Sequence, residues 1–185
     1  HSATRYAAPV RRELGFRTLF NLIGPLSNPA GVERQVMGVF DRRWQRPVAE
    51  TLSRLGSRHV LVVHSEDGLD EISIAAATSV VELRDGAILE WRLDPRDFGM
   101  ALQPLDSLRV ESAEASLRLI EAALAGTPGP AQDILALNAG AAIHVAGLAG
   151  GIADGVRQAQ AILQSGAAFE RLRALQQLTH QLATT

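Results

Sequence analysis

Ser65-Glu66-Asp67-Gly68-Leu69-Asp70-Glu71-Ile72-Ser73 places four carboxylates within six residues, directly after the apolar run His59–His64. Adjacent carboxylates such as Asp70 and Glu71 repel each other unless a cation or water relieves them. Mg2+ suits such a pair. It takes hard oxygen ligands, keeps several waters, and is often held by one or two carboxylates plus substrate phosphates. Gly68 allows the sharp turn that the loop needs. A solvated acidic turn has the same composition, and pattern alone leaves both readings open.

Two other stretches carry chemistry. In Arg11-Arg12-Glu13-Leu14-Gly15-Phe16-Arg17-Thr18, an inward arginine can grip a substrate carboxylate through its two-pronged donor geometry. A charged surface helix reads the same way. In Asn21-Leu22-Ile23-Gly24-Pro25-Leu26-Ser27-Asn28-Pro29, Gly24 and Pro25 form a stiff apolar bend that could wall a flat aromatic ligand, or simply turn the chain between helices. His1, His59, His64, His144 and His180 show no metal-ligand spacing. His64 closes a strand beside the acidic loop, whereas His144 sits in an apolar helix and reads as a satisfied core residue. The chain contains no phosphate-binding P-loop, no dinucleotide fingerprint and no nucleophile elbow. Gly147-Leu148-Ala149-Gly150-Gly151 follows a helix and reads as its terminator.

The elements that must position these residues follow from periodicity and punctuation. Tyr6–Gly15 and Phe16–Ile23 read as short helices, the second ending at Gly24-Pro25, with Asn28–Gly31 a loop. Gln35–Phe40 reads as a buried strand, Asp41 caps a helix over about Trp44–Leu55, and Gly56 ends it. His59–His64 has no polar alternation, the pattern of a strand covered on both faces. This β-α-β unit implies parallel pairing. Ser79–Leu83 and Ala87–Leu93 alternate and are joined through Asp85-Gly86, a strong hairpin signal. Helices follow at Ser112–Ala125, Ala131–Ala146, Ile152–Gln164 and Ala167–Leu182. The small residues of Leu137–Gly150 predict close helix packing.

Composition bounds the function. The net charge of −2 suggests neither a nucleic-acid nor an anionic membrane surface. The chain has no cysteine, which removes disulfide, zinc–thiolate and cysteine-nucleophile chemistry and is compatible with the cytoplasm. No apolar run reaches the roughly 20 residues that span a bilayer.

Val10–Gly31, Gln35–Phe40, Glu66–Ser73 and Leu137–Ala142 together resemble the signatures of the bacterial anthranilate phosphoribosyltransferases. The resemblance covers nearly the whole chain. It implies transfer of the phosphoribosyl group from phosphoribosyl diphosphate to anthranilate, a step of tryptophan biosynthesis. It implies an α/β fold: a mostly parallel sheet flanked by helices, with residues 1–30 part of a small helical domain and 31–185 part of the α/β domain. Mg2+, a homodimer formed through the helical domains and a cytoplasmic location are implied too. By this resemblance Arg11 binds the anthranilate carboxylate, Gly24 and Pro25 line its channel, and His1 stands near the same ligand. Asp70 and Glu71 hold a Mg2+ that also meets the diphosphate. The family's Gly-Thr-Gly-Gly-Asp phosphate loop and its upstream Lys, Ser and Asn are absent, so the chain resembles roughly the C-terminal half of such an enzyme, expected to be inactive alone. Arg109-Val110-Glu111-Ser112 also departs from a Gly-Gly-Asp turn common in the family. Two rival readings share the fold. A pyrimidine nucleoside phosphorylase is disfavoured by the Arg11–Pro29 stretch and the Asp70–Glu71 pair. A non-catalytic nucleic-acid-binding relative would need a basic cleft and no acidic pair.

Overall fold

The structure is a computed structural model that describes Glu13 and residues 20–183. The helix expected over Tyr6–Gly15, and with it Arg11 and His1, lies outside the described residues apart from Glu13. The chain divides into two compact units, His1–Val32 and Glu33–Thr185.

In the first unit, helix α1 spans Phe20–Leu26. The sequence predicts that a helix stops at Gly24-Pro25, but this one runs through both residues. Proline normally disfavours helical geometry in the residue before it, partly by crowding that residue's Cβ. Gly24 has no Cβ and accepts the geometry. Ser27 then closes the helix: its N–H donates to the Ile23 carbonyl at 3.0 Å and its hydroxyl to the same oxygen at 2.7 Å. In the following loop the Asn28 side chain accepts from the Ala30 N–H at 3.0 Å, an Asx turn.

The second unit is a four-stranded sheet in the order β1-β2-β3-β4, with β1 Arg34–Gly38, β2 His59–Ser65, β3 Thr78–Arg84 and β4 Ala87–Leu93. The α/β class is as expected, but the sheet is mixed. β1 and β2 run parallel, whereas β2–β3 and β3–β4 are antiparallel. The reason lies in the connections. Helix α2, Gln45–Arg54, carries the chain across from β1 to β2, and such a crossover permits parallel pairing. No helix follows β2. The chain returns through residues 66–77 and must run back antiparallel. The β3–β4 hairpin turns at Asp85 and Gly86, both at positive φ (48° and 85°), as a two-residue turn matching strand twist requires.

β2 is covered on both faces. Leu61 and Val63 join Val80, Leu93, Leu137, Val145 and Val156 in the main core. Val60 and Val62 point to the opposite face, which α2 covers with Val48, Ala49 and Leu52; all five are buried. Each buried valine or leucine here stabilises the fold by about 1.5–3 kcal/mol through its removal from water. The start of α2 is pinned to the sheet by buried Gln45, whose Nε2 donates to the Val62 and Ser79 carbonyls, both at 2.7 Å.

Four helices follow: α3 Ala113–Leu124, α4 Pro130–Val145, α5 Ile152–Gln164 and α6 Ala167–Ala183. Ser112 caps α3, its hydroxyl accepting from the Ala115 N–H at 3.1 Å. The close packing expected from the small residues is present between α4 and α5. A Cβ on Gly155 would stand 2.1 Å from the Gly140 carbonyl oxygen, and one on Gly140 would stand 2.5 Å from the Val156 nitrogen. These two backbones touch only because neither residue has a side chain. No helix among the described residues is long and apolar enough to cross a membrane.

Candidate functional site

The acidic loop leaves the C-terminal end of β2 and folds across the C-terminal end of β1. In open α/β sheets this is the edge where ligands collect. Its first half is a self-bonded turn. The Ser65 N–H donates to the Leu69 carbonyl at 2.9 Å, the Gly68 N–H to the Ser65 carbonyl at 2.9 Å, and Gly68 itself sits at φ 91°. Asp67 accepts from the Leu69 N–H at 3.0 Å and from the Ser73 hydroxyl at 2.5 Å. Partial burial opposes its charge, but these hydrogen bonds outweigh that cost and hold the carboxyl below its ordinary value. Glu66 turns away to a two-pronged pair with Arg92, at 3.0 and 3.1 Å, on the exposed face of β4. Two of the four carboxylates are therefore occupied in shaping the loop.

Asp70 and Glu71 are the other two, and both are exposed. Their backbone is fixed from two sides. On one side a Cβ on Gly38, at the end of β1, would stand 1.6 Å from the Asp70 carbonyl oxygen. No larger residue fits there without moving the loop. On the other side Asn138 of α4 clamps the next residue. Its Oδ1 accepts from the Ile72 N–H at 3.0 Å, and its Nδ2 donates to the Ile72 carbonyl at 2.9 Å and to the Ile134 carbonyl at 2.9 Å. Ile72 and Ile74 are fully buried, so they anchor the C-terminal arm of the loop in the core. The Ser73 hydroxyl accepts from the Ala75 N–H at 2.9 Å and completes the arm.

This donor set fits Mg2+. It offers two exposed carboxylates, adjacent in sequence, on a backbone braced by core residues, with room for water and phosphate oxygens. Asp70 and Glu71 would be the residues to hold the ion. The loop does not bring a third carboxylate or a histidine to them in the way a closed protein cage would. Among the described residues the one group of three such side chains within mutual reach lies elsewhere, at His59, Glu82 and His144.

The remaining sequence candidates fall as follows. Gly24 and Pro25 lie within helix α1. His64, half-buried at the end of β2, has its Nδ1 2.8 Å from the Val39 carbonyl and so ties the ends of β2 and β1 together. His144 is buried, as expected of a core residue, and its Nδ1 lies 3.2 Å from the Ala149 carbonyl. Sequence reasoning assigned no role to Gly38 or Asn138, although both fall in stretches that carry the family resemblance. It also found no histidine grouping, because His59, Glu82 and His144 are far apart in sequence and meet only through strand register and the placement of α4.

An α/β sheet with a loop braced beyond the carboxyl ends of its parallel strands places that loop where ligands bind in such folds. The chain belongs to the glycosyl transferase family, a/b domain, which it matches over residues 1–169. It is 55% identical over 179 residues to the anthranilate phosphoribosyltransferase of Methylobacillus flagellatus, covering 97% of this chain and 52% of that protein. It is also 55% identical over 179 residues to the enzyme of the same name from Thioalkalivibrio sulfidiphilus, covering 97% and 53%. The crystal structure of anthranilate phosphoribosyltransferase from Thermus thermophilus superposes with a TM-score of 0.85 at 42% identity, over 94% of this chain and 51% of that one. The Saccharomyces cerevisiae enzyme in complex with PRPP and Mg shares the fold, with a TM-score of 0.82 at 23% identity, over 100% and 53%. The chain thus spans about half the length of the curated relatives it matches.

Proposed function

We propose that this chain forms the C-terminal half of an anthranilate phosphoribosyltransferase, which joins anthranilate to C1 of phosphoribosyl diphosphate and releases diphosphate. The observation that carries the reading is the Asp70–Glu71 pair, braced by Gly38 and Asn138 at the ligand-binding edge of the sheet. The high identity to bacterial enzymes of that name supports it. So does the Mg and PRPP complex of the yeast enzyme, which has the same fold.

The reaction breaks the bond between ribosyl C1 and a diphosphate oxygen while a weak aromatic amine attacks. Negative charge gathers on the leaving diphosphate and positive charge on the sugar. When bound, Mg2+ neutralises the leaving charge. Asp70 and Glu71 would hold that ion, on a backbone that Gly38 and Asn138 keep in place. A loop backbone already in place reduces the reorganisation needed when the charge develops. Arg11 pairs with the anthranilate carboxylate and fixes the amine toward C1, an orientation effect. Gly24, Pro25 and His1 border the same aromatic ligand. No residue of this chain is assigned as a general base. A homodimer and a cytoplasmic location belong to the same proposal.

The test is the whole protein that contains this chain, assayed for anthranilate consumption with phosphoribosyl diphosphate and Mg2+. Turnover is expected, and Arg11→Ala should raise KM for anthranilate far more than KM for phosphoribosyl diphosphate. Absence of turnover, or equal effects on the two constants, would count against it.

A further inference from the structure

At the other end of β2 from the acidic loop, two imidazoles and a carboxylate converge. His59 opens β2, Glu82 lies on the neighbouring strand β3, and His144 sits in the last turn of α4. His59 and His144 are 5% and 7% exposed. The Glu82 side chain is 12% exposed. His59 Nε2 is 2.9 Å and His144 Nε2 is 3.7 Å from the same oxygen, Glu82 Oε1. One ligand atom from each residue lies within 4.8 Å of the other two.

The surrounding groups set these atoms up as ligands. His144 Nδ1 is 3.2 Å from the Ala149 carbonyl. A carbonyl can only accept, so Nδ1 carries a proton, and in the neutral ring Nε2 then presents a lone pair. That lone pair faces the Glu82 carboxylate at a distance too long for a hydrogen bond. Glu82 Oε1 also lies at hydrogen-bond distance from His59 Nε2, 2.9 Å, so a divalent cation entering here takes the place of the proton that those two share and releases it, as metal binding to histidine generally does. Trp91 Nε1 donates to the second oxygen, Glu82 Oε2, at 3.0 Å, which turns Oε1 toward the histidines. Metal-ligating histidines and carboxylates carry outer partners of this kind. His59 and His144 line a cavity of about 350 Å³, together with Arg34, Arg84, Asp85 and the turn Gly147–Gly150.

We propose that His59, Glu82 and His144 form a binding site for a divalent transition metal of the Zn2+ class, with a fourth position open to the cavity. Two imidazoles and one carboxylate are a ligand set that suits zinc and its first-row neighbours and not Mg2+. The guanidinium groups of Arg34 and Arg84 favour an anionic fourth ligand, hydroxide or a small oxyanion. β2 puts six residue steps between His59 and Ser65, about 20 Å at roughly 3.3 Å per step, so this site and the acidic loop are read separately. The proposal does not depend on the phosphoribosyl transfer reading.

Co2+ is the probe, because its visible absorption reports a low-coordinate nitrogen and oxygen site. The whole protein is stripped with chelator and titrated with Co2+ and then Zn2+, with Asp70→Asn and Glu71→Gln introduced together to remove the acidic loop as a competitor. One equivalent of Co2+ should give intense visible bands, which one equivalent of Zn2+ abolishes. Proton NMR of that cobalt form should show paramagnetically shifted ring protons from two histidines, a readout that needs no change in the cluster. Removing an outer partner usually weakens a metal about 10- to 100-fold. Trp91→Phe should fall in that range, and Glu82→Gln or His144→Ala, in protein with an unchanged circular dichroism spectrum, should lose at least about 100-fold. A cobalt form without visible bands or shifted histidine protons, or bands that persist in Glu82→Gln and His144→Ala, would overturn the proposal.

Discussion

Asn138→Ala removes the side chain that grips the acidic loop from α4. Three hydrogen bonds go, two to Ile72 and one to Ile134. Each is worth about 1 kcal/mol net, and a buried backbone group left without a partner costs about 1–3 kcal/mol. The Ile72 N–H and carbonyl are both stranded beside a fully buried side chain. The expected loss is therefore about 2–5 kcal/mol, a large part of the roughly 5–15 kcal/mol that holds a typical domain folded. Urea unfolding of the whole protein, followed by circular dichroism, reads this as a lower midpoint with an unchanged slope. If the loop detaches without global unfolding, hydrogen exchange at the Ile72 amide becomes fast while the β2 amides stay protected. Asn138→Asp keeps the acceptor for the Ile72 N–H but sets a carboxylate oxygen against the Ile72 carbonyl, so it should be no better than alanine near neutral pH. A stability change under about 0.5 kcal/mol, the range of ordinary surface substitutions, with unchanged exchange at Ile72, would refute the clamp.

Gly38→Ala forces a methyl group into the Asp70 carbonyl, so in the whole protein the Mg2+ concentration giving half-maximal turnover should rise; an unchanged value would show that the loop is not braced there. Gly155→Ala drives a methyl group into the Gly140 carbonyl and should destabilise by at least the roughly 1–3 kcal/mol typical of overpacking, read by urea unfolding. Arg92→Ala breaks an exposed pair with Glu66 and should leave the urea midpoint unchanged in the same assay, whereas a clear drop would show that the pair holds the loop. Asp67 has a carboxyl held below its unfolded value. Its contribution to the loop is therefore present above the unfolded value, near pH 4, and is lost as pH falls through the folded one. NMR of the Leu69 amide should show its hydrogen bond weakening only at the acid end of that window; loss near pH 6 would contradict the assignment.

Much of this unit could be read from residue order because local signals and burial agree. β2 is legible in the unbroken apolar run His59–His64, the hairpin in Asp85-Gly86, and α3 in its Ser112 cap. What the sequence obscures is set by distant partners. The return of the chain after β2 makes the sheet mixed, and a β-α-β pattern upstream gives no warning of it. α1 continues through Pro25 because the residue before that proline is glycine. The two braces of the acidic loop come from the end of β1 and from α4, the latter 66 residues away from its partner. The loop's own division of labour was legible in part: Asp70 and Glu71 were separable from Glu66 and Asp67 by family resemblance, whereas the bonds to Arg92 and Ser73 that occupy the latter two required coordinates.

The central claim is that Asp70 and Glu71 hold the Mg2+ that meets the diphosphate. The most direct measurement is the Mg2+ dependence of turnover in the whole protein, with and without Asp70→Asn and Glu71→Gln. A strong fall in turnover and a marked increase in the Mg2+ needed for half-maximal rate are expected, with the fold intact by circular dichroism. An unchanged Mg2+ dependence in the doubly substituted protein would contradict it.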